Sequence, residues 1–95
     1  MTQNFNLEQK IALRVGHRIQ WEEAQQAHVL LFPEGMIKLN ESAAEILKRC
    51  DGSKTGAQII EELSADYPDV DLTQDVLLFL ADAQEKSWID VVRAT

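Results

Sequence analysis

Basic residues are scarce in this 95-residue sequence: nine Lys and Arg stand against sixteen Asp and Glu, giving a formal charge of −7 and a pI near 4.6. Binding to a phosphate backbone depends on clustered cations that release counterions, so nucleic acid is a poor partner. Cysteine occurs once, at Cys50, which excludes an intramolecular disulfide and any need for an oxidising compartment. The longest apolar clusters, residues 29–32 and 76–81, fall far short of the ~20 residues that span a bilayer. Residues 1–14 contain no continuous apolar stretch of the kind a secretion signal carries. The expectation is a cytoplasmic protein without a membrane partner.

Catalytic signatures are missing too. There is no GxxxxGK[ST] phosphate loop, no GxGxxG, no GxSxG elbow and no CxxC. His17 and His28 are placed to approach each other across neighbouring strands, but two imidazoles without a thiol or carboxylate cluster make a weak metal site. Cys50 falls on an apolar helix face with no histidine nearby to activate it and reads as core. The pairs Glu22-Glu23 and Glu61-Glu62 read as solvated charge, lacking a companion that would raise a pKa. The expectation is therefore a protein with no catalytic residue, no metal and no cofactor.

An apolar content of 45% against 26% charged residues is that of a globular chain, and the length suits one domain. Residues 1–15 read as a flexible N-terminal arm, with Phe5, Leu7, Ile11 and Leu13 available to dock, and residues 16–95 as the folded domain. Alternation through Ile19 and Trp21 predicts a first strand. The apolar run from Ala27 to Phe32 predicts a central second strand. Pro33-Glu34-Gly35 supplies a turn, with positive φ available at Gly35, and Met36 to Leu39 makes a short third strand at the sheet edge.

Three helices follow. Asn40 caps the first, whose Ala43, Ile46, Leu47 and Cys50 share one face, and Asp51-Gly52 is expected to end it. Thr55 and Gln58 form a capping box for the second, with Ile59, Ile60, Leu63 and Tyr67 on its buried side and Pro68 after it. Asp71 caps the third, which runs to about Lys86, and a short strand near Trp88 to Val92 closes the domain. The pattern predicts an α+β fold, a small winged-helix-like domain in which a three-stranded antiparallel sheet precedes a three-helix bundle.

The third helix carries more apolar surface than its packing stripe needs. Leu72, Val76, Phe79, Leu80 and Ala83 share the stripe, whereas Leu77 and Leu78 lie outside it on opposite flanks. Its polar positions hold three acids against Lys86, which would repel a duplex and argues against a DNA-binding winged-helix regulator. A short edge strand beside an apolar helix is the arrangement that β-augmentation exploits, with an extended peptide pairing to the strand while its side chains enter a groove.

The run from Val29 to Asn40, followed by Ala44, Ile46-Leu47, Cys50-Asp51-Gly52 and Thr55, resembles the pyrroloquinoline quinone (PQQ) biosynthesis protein D family of precursor-peptide recognition elements. The likeness extends more loosely from His17 through Phe79-Leu80 to Trp88, and departs at Ser87, where the family often has glycine. The resemblance implies a peptide chaperone that binds a ribosomally made precursor peptide and presents it to a radical S-adenosylmethionine enzyme. It places the peptide along Met36, Ile37, Lys38 and Leu39, with Leu77, Leu78 and Ala81 as groove walls. A carrier of the finished quinone cofactor is the alternative; it needs convergent cations, and Arg14, Arg18, Lys38, Lys48 and Arg49 are scattered along the chain. Short edge strands and the N-terminal arm leave a homodimer open.

Overall fold

A computed structural model describes residues 5–92. In chain order the elements are β1 (Lys10–Leu13), β2 (Arg18–Glu22), β3 (Ala27–Phe32), β4 (Gly35–Lys38), α1 (Glu41–Leu47), β5 (Asp51–Thr55), α2 (Gly56–Asp66), α3 (Thr73–Glu85) and β6 (Ile89–Val92). The fold is α+β and winged-helix-like, with the expected sheet ahead of the helices. A second sheet accompanies it: the strands pair as β2-β3-β4 and as β5-β1-β6, antiparallel throughout.

In the first sheet β3 is the middle strand, which explains its unbroken apolar run. Leu30, in register with Ile19 and Ile37, faces the core; Val29, in register with Gln20 and Lys38, faces the other way, and both are fully buried. Phe32 pairs with Gly35, so Pro33-Glu34 is a two-residue connection. Gly35 has φ +154, a value that only glycine takes without strain.

The second sheet corrects the expectation of a flexible arm through Val15. Lys10–Leu13 is the middle strand between β5 and β6, and Ile11 is completely buried. Ahead of it, the Leu7 carbonyl accepts the Ala57 N–H at 2.8 Å, and Leu7 lies so close to Gly56 that a Cβ there would sit 2.8 Å from Leu7 Cδ2. The partners of β1 lie far along the chain, so its own sequence gives no hint of pairing. Residues 1–4 of the arm lie outside the described residues. Asp51-Gly52 likewise does not stop the first helix: α1 ends at Leu47 and Asp51 opens β5, with Gly52 at φ +88 where the β1–β5 register shifts.

The helix caps follow their local chemistry. Asn40 Oδ1 accepts the Ala43 N–H at 2.7 Å, and the Thr55–Gln58 capping box is complete. At α3 the N-cap is Leu72, and Asp71 Oδ1 accepts from the Thr73 N–H at 3.0 Å. The other end of α3 closes as a Schellman motif: the Trp88 N–H reaches the Ala83 carbonyl at 2.9 Å, the Ser87 N–H reaches that of Gln84, and Ser87 takes φ +66. That left-handed turn aims the chain into β6.

One core joins both sheets and all three helices, with Ile11, Leu30, Leu47, Ile59, Leu80 and Ile89 all buried in it. Each such side chain contributes about 1.5–3 kcal/mol relative to an exposed one. Tyr67, expected on the buried side of α2, is instead 50% exposed, because the helix ends at Asp66 and Tyr67 has left helical φ/ψ. Arg49 staples α1 to α2, reaching Glu45 at 2.9 Å, Glu62 at 3.1 Å and Asp66 at 3.6 Å. Among the described residues no helix is long and apolar enough to cross a membrane.

Candidate functional site

β4 is the outer strand of its sheet, and the ladder determines which of its backbone groups are free. The Leu39 N–H donates to the His28 carbonyl at 2.9 Å, which makes that pair a hydrogen-bonded one. Pairs alternate along an antiparallel ladder, so Ile37 and Gly35 also point their amides inward, to Leu30 and Phe32. The N–H and C=O groups of Met36 and Lys38 therefore face outward from the edge. Side chains alternate as well: Leu39 is buried and Ile37 half-buried toward the helices, while Met36 and Lys38 are exposed on the other face. Of the four strand residues named from the sequence, two carry the free backbone groups and the other two belong to the ladder and the core.

The three α3 residues named as groove walls differ among themselves. Leu78 is 53% exposed, Leu77 is half-buried, and Ala81 at 4% presents almost no surface. The excess apolar character of α3 thus ends up as one exposed leucine and one partly covered one. β4 and α3 are joined through the common core that contains Leu39, Val76 and Leu80.

The remaining chemical candidates have structural partners. His17 stacks on Phe32 at 5.6 Å and His28 meets Trp21 edge-on at 5.1 Å, at opposite ends of the β2–β3 ladder, so the two histidines do not approach each other as the sequence allowed. Cys50 Sγ donates to the Ile46 carbonyl at 3.4 Å, and burial pushes its thiol up to about 12, far from reactivity at neutral pH. The Trp21 indole N–H, and then Gln26, hold Glu23 below the usual carboxylate range. Among the described residues no group of three metal-ligating side chains comes together.

Two concavities escaped the sequence reading. A cavity of about 320 Å³ lies between α1, the end of α2 and the start of α3: buried Ile46, Leu63 and Val76 line it, half-exposed Tyr67 and Val70 stand at its rim, and Glu41, Glu45 and Asp75 surround it. The signal was Tyr67, Val70 and Leu72, large apolar residues alternating with Asp69 and Asp71 in the connection from α2 to α3. A more open groove of about 620 Å³ runs between the sheets and brings Arg18, Lys48, Trp21 and His28 onto one surface. Two cations that look scattered along the chain line the same groove, together with Asp51.

Residues 27–89 match the family model described as coenzyme PQQ synthesis protein D. A protein of Stutzerimonas stutzeri (strain A1501) named PqqA binding protein is 49% identical over 88 residues, covering 92% of this chain and 96% of that one. A protein of the same name from Acinetobacter baylyi is 52% identical over 75 residues, covering 78% and 76%. Among solved structures, the solution structure of the PqqD truncation of Methylobacterium extorquens PqqCD, described as a functional and stand-alone RiPP recognition element, superposes with a TM-score of 0.75 at 30% identity, over 93% of this chain and 96% of that one.

Proposed function

The chain belongs to the coenzyme PQQ synthesis protein D family, and from that premise we propose that it binds the ribosomally made precursor peptide of PQQ as an added strand on β4 and presents it to a radical S-adenosylmethionine enzyme. The observation that carries this reading is the free edge of β4, where the outward N–H and C=O groups of Met36 and Lys38 offer an extended peptide two donors and two acceptors. Hydrogen bonds of this kind add about 0.5–1.5 kcal/mol each, so apolar contacts must supply much of the affinity. Met36 and Leu78, both about half exposed, are the large apolar side chains offered by β4 and α3. The bond-making chemistry belongs to the enzyme partner.

The test is a titration of isotope-labelled protein with the precursor peptide, read by backbone amide shifts. Shifts centred on residues 36–39 and 77–81 are expected, and shifts confined elsewhere, or none at saturating peptide, would refute strand addition here. Met36→Pro and Lys38→Pro each remove one outward donor and no ladder bond. Both are expected to keep their circular dichroism and weaken the peptide by tenfold or more, about 1.4 kcal/mol.

A second reading, a quinone carrier, draws on the open groove that gathers Arg18, Lys48 and Trp21. Lys48 is already paired with Glu45 at 2.8 Å, which weakens its claim on an anion. Titration with the quinone, followed by Trp21 fluorescence in a Trp88→Phe background, decides it: no quenching excludes the groove.

A further inference from the structure

The cavity between α1, the end of α2 and the start of α3 has no role in strand addition. None of its lining comes from β4; Leu72 caps α3, and of the α3 residues in the lining Val76 lies roughly 160° round the axis from exposed Leu78, while Asp75, one turn before Leu78, stands at the border between the two surfaces. A domain that hands over a bound peptide needs a surface for the receiving protein that stays open while the peptide edge is filled. This cavity lies clear of the β4 edge, and its chemistry is specific: an apolar interior with half-exposed Tyr67 and Val70 at the mouth, inside a ring of carboxylates.

The charge of that ring selects the occupant. Glu45 is neutralised locally by Lys48 and Arg49, at 2.8 and 2.9 Å. Glu41 and Asp75 make no ion pair among the described residues, and the connection that carries Val70 adds exposed Asp69 and Asp71. A second copy of this chain, at −7, would bring like charge to the ring, and nucleic acid would be repelled. We propose that this cavity is a second docking surface, which takes an apolar side chain flanked by lysines or arginines from the protein that receives the peptide. The proposal rests on the presentation step in the function argued above.

The experiment compares two affinities, for the precursor peptide and for the purified radical S-adenosylmethionine enzyme, in the unaltered chain, in Val70→Gln and in Glu41→Lys. Both substituted positions are exposed, and peptide affinity reports on the fold of each variant. Enzyme binding to the unaltered chain is expected to weaken as salt rises. Each variant should lose enzyme affinity by about tenfold or more, with peptide affinity held within about twofold. Enzyme affinity unchanged in both variants overturns the docking surface and leaves peptide binding standing. Failure of the enzyme to bind the unaltered chain overturns the docking surface together with the presentation step, and peptide binding is then judged by its own titration.

Discussion

The two sheets of this domain are the same size and are built in opposite ways. β2-β3-β4 is made from consecutive segments joined by short turns, and its last strand ends in an open edge with Met36 half exposed. β5-β1-β6 is assembled from the start, the middle and the end of the described chain, and its central Ile11 is wholly covered. A sheet held by local hairpins can offer an edge without loosening the molecule, because the long-range strands carry the closure of the fold. Assigning recognition to one sheet and closure to the other predicts that mutations separate along the same line.

The largest effect is expected at Ile11→Ala. Removing a fully buried aliphatic side chain from the middle of the long-range sheet should cost about 2–5 kcal/mol in urea unfolding. An unchanged midpoint would return residues 10–13 to the status of an arm. Gly56→Ala comes next, since its Cβ would meet Leu7 at 2.8 Å from the side chain and 3.3 Å from Cα; overpacking should cost about 1–3 kcal/mol. Full stability in that variant would show that the segment before β1 can step aside.

In the local sheet, Ile37→Pro deletes an amide that the ladder uses and orphans the Leu30 carbonyl, a loss of about 1–3 kcal/mol, whereas the neighbouring Met36→Pro should leave the melting temperature nearly unchanged. Equal melting temperatures for the two variants would mean that the inward and outward assignments are wrong. Ser87→Gly relieves a left-handed residue at the turn into β6 and should stabilise the chain by about 1 kcal/mol. A destabilised variant would show that the Ser87 side chain does more than tolerate the turn. The smallest change in stability, within about 0.5 kcal/mol, is expected at Leu78→Asp, together with weaker peptide binding. A large fall in its melting temperature would place Leu78 in the core instead.

What could be read from the sequence follows the same division. Period-2 alternation, the Pro33-Glu34-Gly35 turn, the Asn40 cap and the Thr55–Gln58 box are local signals, and the elements they mark are present with small shifts of boundary. β1 and β5 were missed because each is short and defined by partners elsewhere: Asp51–Thr55 is polar and contains a glycine, and its pairing with Lys10–Leu13 leaves no mark on either segment. Ser87 was noticed as a departure from glycine, and its positive φ supplies the reason that glycine suits the position. The edge position of β4 was legible; the direction of its amides was not. An extended run has the same periodicity whichever residues face the neighbour, so Ile37 and Leu39 look as free as Met36 and Lys38 until one ladder bond is known.

That alternation sets a rule for any strand that joins β4. If the strand runs antiparallel to β4, only the ligand residues opposite Met36 and Lys38 exchange main-chain hydrogen bonds with the edge, so proline is forbidden at those two positions and tolerated at the one between them. The main chain of such a ligand is thereby constrained separately from the side chains that make its apolar contacts.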